Sequence, residues 1–414
     1  MPVFLVLVLF EKWYGWRKGQ DTVRTMDMIS SLSSGITNVT KDVLGLSIGI
    51  ISYGWMVNKL AIFTINNTIL TYVVGFIIID FQSYWIHRWS HKINIFWNRH
   101  IIHHSSEEFN LACALRQSIS SIVNLFTFLL LPAALLGVPV QVIAVIAPLH
   151  LFAQFWYHTR HIGKMGFLEK ILVTPSHHRV HHAINPEYLD KNLAAIFICW
   201  DKWFGTFQEE LPHVACVYGI TRPAATWNPI RINFQHLWLL IQDAWRTKNI
   251  ADKFRIWFMP TGWRPADTME RYPVSKIEDP YHFEKYNPAH HRLLPAWSWF
   301  QLSMILLFLS YFFANIASIG APNIFVYGAF IFLCVHATTE LMDGNPNAWI
   351  FETVKNMLAI AWMARSGDWF GISTYSPLAN GVLYGYFITA TCIVGLFCIA
   401  LKKQDRVKPA TVAA

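Results

Sequence analysis

Between His87 and His104 the sequence reads HRWSHKINIFWNRHIIHH, placing five histidines in eighteen residues directly after an apolar run. His87 and His91 are spaced H-x-x-x-H, and His100, His103 and His104 are spaced H-x-x-H-H. The second spacing recurs at His178, His181 and His182 within TPSHHRVHH. On a helix, positions i, i+3 and i+4 share one face, so each cluster offers two or three imidazoles to a single point. That is ligand geometry, and three such clusters point to metal rather than to a pH-sensing surface. Eight imidazoles exceed the four ligands zinc usually takes, whereas a two-metal site accounts for the number. Imidazole suits Zn, Cu, Fe and Ni alike. The position of the clusters at the end of a membrane-length run favours iron, because oxidation of an inert lipid C–H bond needs a metal that activates O2. The six cysteines include no C-x-x-C pair and read as free thiols, so thiolates are not the ligands.

Other groups follow from the same periodicity. Asp80 lies in the apolar run seven residues before His87 and on roughly its face. A carboxylate at membrane depth is functional by default, and orienting the His87 imidazole is the expected role. His158 and His161 end the next apolar region, and His158 is the expected ninth ligand. His177 faces about 100° away from His178 and stays outside the site. Glu107 and Glu108 after the second box, and Asp190 and Asn192 after the third, are weaker candidates for the same orienting role and read better as solvated loop residues. His336 and Glu340, spaced i, i+4, read as a polar helix contact in preference to part of a substrate path.

These residues need a scaffold. The 414-residue chain is 54% hydrophobic, 15% aromatic and only 14% charged, the composition of a multi-span membrane protein. Its net charge of +8 is spread through short loops, which argues for a membrane surface and against nucleic acid. A span takes roughly 20 helical residues. Residues 43–64 and 69–86 read as one hairpin of spans, and residues 122–156 as a second, broken at Leu136-Gly137-Val138-Pro139. Each hairpin returns to the side it left, where Arg24, Lys41, Arg88, Lys92, Arg99 and Arg116 lie; the positive-inside rule makes that side cytoplasmic. Residues 157–296 carry no membrane-length run and form a cytoplasmic region whose part from 183 onward is a lid; within it Trp227–Trp245 reads as an interfacial helix. Further spans are expected at 297–318, 322–341, 350–364 and 380–401. The first ten residues are too short to distinguish a truncated span from an interfacial anchor, and no secretory signal is recognisable.

The expected fold is therefore an all-α polytopic membrane bundle with a histidine-rich diiron cap facing the cytoplasm. It divides into an N-terminal anchor and basic loop (1–42), a histidine-box domain with its lid (43–296) and a C-terminal bundle (297–414). His87 and His100 cannot share one face of one straight helix, so either the chain bends between Lys92 and Asn98 or two helices converge.

The ordered boxes H-x-x-x-H, H-x-x-H-H and H-x-x-H-H on a membrane scaffold resemble the fatty acid hydroxylase (sterol desaturase) superfamily. HHSSEEFNLACALRQS (103–118), TPSHHRVHH (174–182), WDKWFGTFQEE (200–210) and YGITRP (218–223) look most like its alkylglycerol monooxygenase branch. The resemblance implies O2-dependent hydroxylation or desaturation of a bilayer lipid at two iron ions, with an external electron donor. It carries the eight box histidines over as ligands. The branch implies ether-bond cleavage in alkylglycerols with tetrahydrobiopterin as reductant; Lys92 stands where that branch carries Glu. The alternatives are a fatty acyl, sterol or carotenoid hydroxylase or desaturase and, more remotely, a non-enzymatic metal-handling membrane protein. The membrane is the inner membrane in a bacterium and the endoplasmic reticulum in a eukaryote.

Overall fold

The structure is a computed structural model that describes residues 2–66 and 68–407. It is built of helices; the described residues contain one short parallel strand pair, Ile48–Gly49 with Val123–Asn124. Among the described residues four helices are long and apolar enough to cross a membrane: Ile69–Lys92, Leu294–Ile319, Asn323–Met342 and Ala379–Lys403. The protein is a multi-pass membrane protein. Its chain packs as two compact units, one comprising Met1–Arg24, Leu46–Ala224 and Ile232–Lys285, the other Thr25–Gly45, Ala225–Arg231 and Tyr286–Ala414. All three histidine clusters belong to the first.

In that first unit the helix Ile69–Lys92 exposes Ile69, Leu70, Val73 and Ile77. Its other face carries Asp80, Tyr84, His87 and His91 at steps of four, three and four residues, one stripe of an α-helix. The helix stops because Ile93 is extended (φ −123°, ψ 125°). Asn94 then fixes the change of direction. Its Nδ2 donates to Ile256 O and Trp263 O, and its Oδ1 accepts from Gly262 N at 2.9 Å. Two single-turn helices follow, Asn94–Trp97 and Ile101–His104. The bend expected between Lys92 and Asn98 is present, and it lets two boxes close in sequence face each other.

The expected pairs of spans are not formed. Residues 43–64 contain the strand Ile48–Gly49 and only an eight-residue helix, Tyr53–Leu60. The second region yields Phe126–Leu135 and Val140–Phe152, both too short to cross. Gly137, at φ +75°, makes the turn between them, and a Cβ there would lie 1.9 Å from Phe63 O. Tyr53, Met56, Val138, Val142 and Ile146 form a buried apolar cluster with Ile79 of the long helix. Of the runs read as these two hairpins only Ile69–Lys92 is long enough to span; glycine and proline divide the others into short pieces that pack on it.

The N-terminal helix Pro2–Lys18 is attached to the rest of the first unit by a buried carboxylate. Glu11 accepts from Leu111 N and from Thr159 Oγ1, both at 2.6 Å. Burial raises its pKa to about 7 against the lowering effect of those bonds. Residues 229–246 form the expected amphipathic helix. It buries Ile232, Asn233, His236, Leu240 and Asp243 and exposes Trp238, Ile241 and Trp245.

Three of the four expected C-terminal runs have the length and hydropathy of a span. The fourth, Ala348–Ser366, is a helix that buries Glu352 and Lys355, with Nζ to Oε1 at 2.7 Å. The helix Thr25–Val43 was not anticipated. It buries Ser30, Ser31, Ser33, Ser34 and Thr37, small hydroxyl residues that allow helices to approach closely. His336 and Glu340 are held by Asn228 at 2.9 and 2.8 Å, and Arg231 pairs with Glu340 at 2.6 Å. This is the polar contact read from their spacing.

Candidate metal centre

The third box lies on the short helix Pro175–His182, which starts with proline at its first turn. His178, His181 and His182 leave on one side while Arg179 leaves on the other. Arg179 forms a two-point pair with Glu210 (2.9 and 2.7 Å) and donates to Thr159 O and Ile162 O. One guanidinium thus fixes the box to the segment that carries His158. Asn192, at φ 52°, donates to His177 O and Gln208 O and accepts from Gln208 N, closing the loop behind the helix.

The boxes meet as two groups. In the first, one ring nitrogen from each of His87, His91, His100, His104 and His181 lies within 4.8 Å of all the others. In the second, His103, His158, His178 and His182 do the same. The groups adjoin: the His104 and His182 rings stack with centroids 4.4 Å apart. All eight box histidines and His158 are therefore brought together. His161 is elsewhere, 3.1 Å from Thr22 Oγ1, and His177 lies beside Thr174 and Phe207.

Hydrogen bonding on the far side sets the tautomer of three of the rings. His87 Nδ1 donates to Leu193 O (2.8 Å), His181 Nδ1 to Lys191 O (3.0 Å) and His158 Nδ1 to Gln154 O (2.9 Å). A carbonyl only accepts, so the proton is on Nδ1 and the Nε2 lone pair points into its group. His104 Nε2 lies 3.2, 3.0 and 3.1 Å from the Nε2 atoms of His91, His100 and His181. His178 Nε2 lies 2.8 Å from that of His158 and 3.1 Å from that of His182. A proton can bridge one such pair but not every pair at once. The convergence is repulsive unless a cation sits at its centre, so these residues fit a metal. Burial drives the pKa values of His100, His103, His104, His178, His181 and His182 well below the ordinary value, and neighbouring histidines push in the same direction. Burial lowers His158 to about 4. Neutral imidazole is the ligating form.

Asp80 is not the orienting partner of His87. Its carboxylate is wholly buried and accepts from His150 Nε2 (2.7 Å), Ile196 N, Phe197 N (both 3.0 Å) and Trp200 Nε1 (2.8 Å). It acts one step away, holding the loop whose Leu193 carbonyl receives the His87 proton. Asp201 supports the same loop from Leu193 N and Ala194 N at 2.7 and 2.9 Å. The carboxylate that does reach a ring is Asp190, 3.2 Å from His91 Nδ1 and 2.8 Å from Lys92 Nζ. Burial would raise the Asp190 pKa, but the hydrogen bond from His91 and the Lys92 charge outweigh it and bring it down to about 2. Lys92 neutralises the carboxylate beside the ring. Glu108 is not solvated either; it is buried and pairs with Lys285 at 2.7 Å. Glu107 is also buried.

A model of the fatty acid hydroxylase family matches residues 72–206, the stretch that contains every one of the nine histidines. Alkylglycerol monooxygenase of Homo sapiens is 36% identical over 86% of this chain and 80% of its own length. The protein of that name from Xenopus tropicalis is 31% identical over 86% and 79%.

The chain belongs to the fatty acid hydroxylase family.

The ornithine lipid hydroxylase OlsE of Rhizobium tropici is 30% identical over 37% of the chain and 46% of its own length. No solved structure matches. The family and the histidine groups are together consistent with iron binding.

Proposed function

We propose that this protein is a membrane lipid monooxygenase that cleaves the ether bond of alkylglycerols. Two irons would be held, one by His87, His91, His100, His104 and His181, the other by His103, His158, His178 and His182. The observation that carries the reading is the convergence of imidazole ring nitrogens in two adjoining groups; the alkylglycerol monooxygenases to which most of the chain is similar supply the substrate class. When bound, the irons supply the O2-activating redox chemistry that attack on an inert C–H bond requires.

The chain's own residues do the positioning. Leu193 O, Lys191 O, Gln154 O and Asp190 fix the orientations of the His87, His181, His158 and His91 rings before the ligands engage. Tyr157 and Phe109 pack on the His178 and His158 rings and keep water from that side. Electrons come from an external donor, tetrahydrobiopterin by the alkylglycerol reading. The site faces the cytoplasm, a placement supported by Arg88, Lys92, Arg99 and Arg116 around the boxes. The histidine-box region 43–296 is the catalytic part.

The test is fatty aldehyde release from a 1-O-alkylglycerol by the purified, iron-loaded protein supplied with O2 and tetrahydrobiopterin. The reading requires aldehyde in stoichiometry with O2 consumed. Turnover of an acyl chain or sterol without aldehyde from the ether lipid would replace it with the wider hydroxylase reading.

A further inference from the structure

The outer face of the helix 229–246 is apolar. Every exposed position from 232 to 245 carries a large apolar side chain, namely Phe234, Trp238, Ile241 and Trp245, whereas Asn233, His236 and Asp243 are buried. A helix on a water-soluble surface has the opposite arrangement. The apolar face also continues past the end of that helix. Ile250–Arg255 is a second, short helix, and Ile250, Phe254 and Phe258, at steps of four, are 71–72% exposed. Trp245, between the two, is 85% exposed. So many large apolar side chains on one segment outside the spans mark an interaction surface rather than scattered exposure.

Cations accompany this surface and acids do not balance them. Arg246, Lys248, Lys253 and Arg255 fall among the apolar side chains, and the one acid between Asp243 and Asp267 is Asp252, which is buried and pairs with Arg255 at 2.5 Å. Asp267 is engaged by Lys248 N and Thr247 Oγ1, both at 2.9 Å. Arg246 lies over the Tyr272 ring at 4.1 Å, and Lys253 donates to Ala244 O and Trp245 O. The side chains of Arg246, Lys248 and Lys253 form no ion pair among the described residues. The level of the surface is set by the first span. Residues 257–261 run antiparallel to residues 92–95: Ile95 N donates to Trp257 O and Asn94 N to Met259 O, both at 3.0 Å, and Thr261 N donates to Lys92 O at 3.2 Å. The segment is thus fastened where Ile69–Lys92 ends. A membrane-crossing helix leaves the hydrocarbon at its end, so the surface lies at the boundary with the headgroups, where tryptophan and amphipathic helices partition.

We propose that residues 234–258 form a docking surface for anionic phospholipids of the leaflet at which Ile69–Lys92 ends, with the aromatic side chains entering the acyl region and Arg246, Lys248 and Lys253 held at the negatively charged headgroups. The surface reaches beyond the interfacial helix read from the sequence and selects among lipids by charge. Its occupant is lipid and not a second copy of the chain. A two-fold interface sets a patch against itself and would bring the unpaired cations of two chains together. An anionic leaflet supplies the missing charge, at about fivefold in binding for each basic residue near the surface. The turn that Asn94 makes between the first and second boxes is braced on this same segment, so the leaflet supports the region from which the ligands are presented.

The experiment is amide hydrogen exchange on the full chain in lipid nanodiscs, made either of phosphatidylcholine alone or of an equimolar mixture of phosphatidylcholine and phosphatidylglycerol. Residues 244–258 should exchange at least about fivefold more slowly in the anionic discs, the effect of one surface cation, while residues 69–92 exchange alike in both. High salt should shrink the difference. Arg246→Gln/Lys248→Gln should remove most of it, and Trp245→Ser/Phe254→Ser should speed exchange of the segment in both kinds of disc. All four positions are exposed, and unchanged exchange across residues 69–92 shows that each variant has kept its fold. Equal exchange of residues 244–258 in the two discs would overturn the proposal, and so would a charge dependence that survives in Arg246→Gln/Lys248→Gln. Protection seen only in discs that hold two copies would assign the surface to a second chain and overturn the lipid assignment. No readout depends on turnover, so a failure here leaves the alkylglycerol reading standing and a failure of that reading leaves this surface standing.

Discussion

Removing the Asp80 carboxylate should unfold the support of the first histidine group before it touches any ligand. Asp80 is fully buried and accepts from His150 Nε2, Ile196 N, Phe197 N and Trp200 Nε1. Asp80→Ala leaves all of these donors buried without an acceptor, at about 1–3 kcal/mol each. Even the lower figure gives a loss of about 4 kcal/mol, or about 8 °C in melting temperature at ~2 °C per kcal/mol for a unit of this size. Asp80→Asn keeps the shape and one acceptor oxygen but turns an NH2 towards donors, so its loss should fall between wild type and Ala. The loop 193–197 then loses its anchor to the long helix, and with it the fixed acceptor at Leu193 O for His87 Nδ1. Iron in the first group should be bound about 10–100-fold more weakly, as for other changes to groups that orient a ligand. The assay is differential scanning fluorimetry in detergent together with iron analysis after dialysis against a chelator. A melting point within 2 °C of wild type, or unchanged iron retention in Asp80→Ala, would refute the argument.

Further outcomes follow from the same structure. Asp190→Asn takes from His91 its charged acceptor and from Lys92 its partner, and should weaken iron retention while Lys92→Met, which leaves the Asp190–His91 contact, weakens it less; chelator-challenge iron analysis orders the two. His236 is buried against Asn94 O, and burial lowers its pKa from 6.5 to about 4. Because the unfolded state binds the extra proton, His236 favours the fold above pH 6.5, and that contribution fades as pH falls through 6.5 towards 4. At pH 5 the difference is about 2 kcal/mol. Wild type should therefore lose about 4 °C more than His236→Gln between pH 7 and pH 5; parallel melting profiles would count against it. Glu11→Ala should release the N-terminal helix from Leu111 N and Thr159 Oγ1, read as faster amide exchange across residues 2–18 with the long helix 69–92 unaffected.

Much of the site was legible because its signals are local. The i, i+3, i+4 spacings put each box on one face, and the thirteen-residue gap from His87 to His100 required the bend that Ile93 and Asn94 make. His158 was readable as an imidazole at the end of an apolar region. The orienting groups were legible only in part, Asp190 having been a weaker candidate. Leu193, Lys191 and Gln154 act through carbonyl oxygens, which carry no sequence signature, and Asp190 reaches His91 only because the loop after the third box turns through left-handed residues at 190 and 192. Asp80 was correctly picked out as a buried carboxylate, but periodicity alone cannot say which of the donors near a helix face will reach it. The spans at 43–64 and 122–156 failed for a different reason. Apolar composition fixes burial and not length, and Gly137 and Pro139 cut the second run into short helices that pack against Ile69–Lys92. The helix Thr25–Val43 was missed because serine and threonine read as surface, whereas here they line a close helix contact.

The central claim is that two adjoining imidazole groups each hold one iron. Iron quantitation on the purified protein, with Mössbauer spectroscopy on iron-57-loaded samples, tests it most directly. The account predicts two irons per chain in wild type, with His181→Ala and His158→Ala each depleting one group while the other keeps its iron. A wild-type protein that holds no iron under loading conditions, or one that keeps both irons in each of these variants, would contradict it.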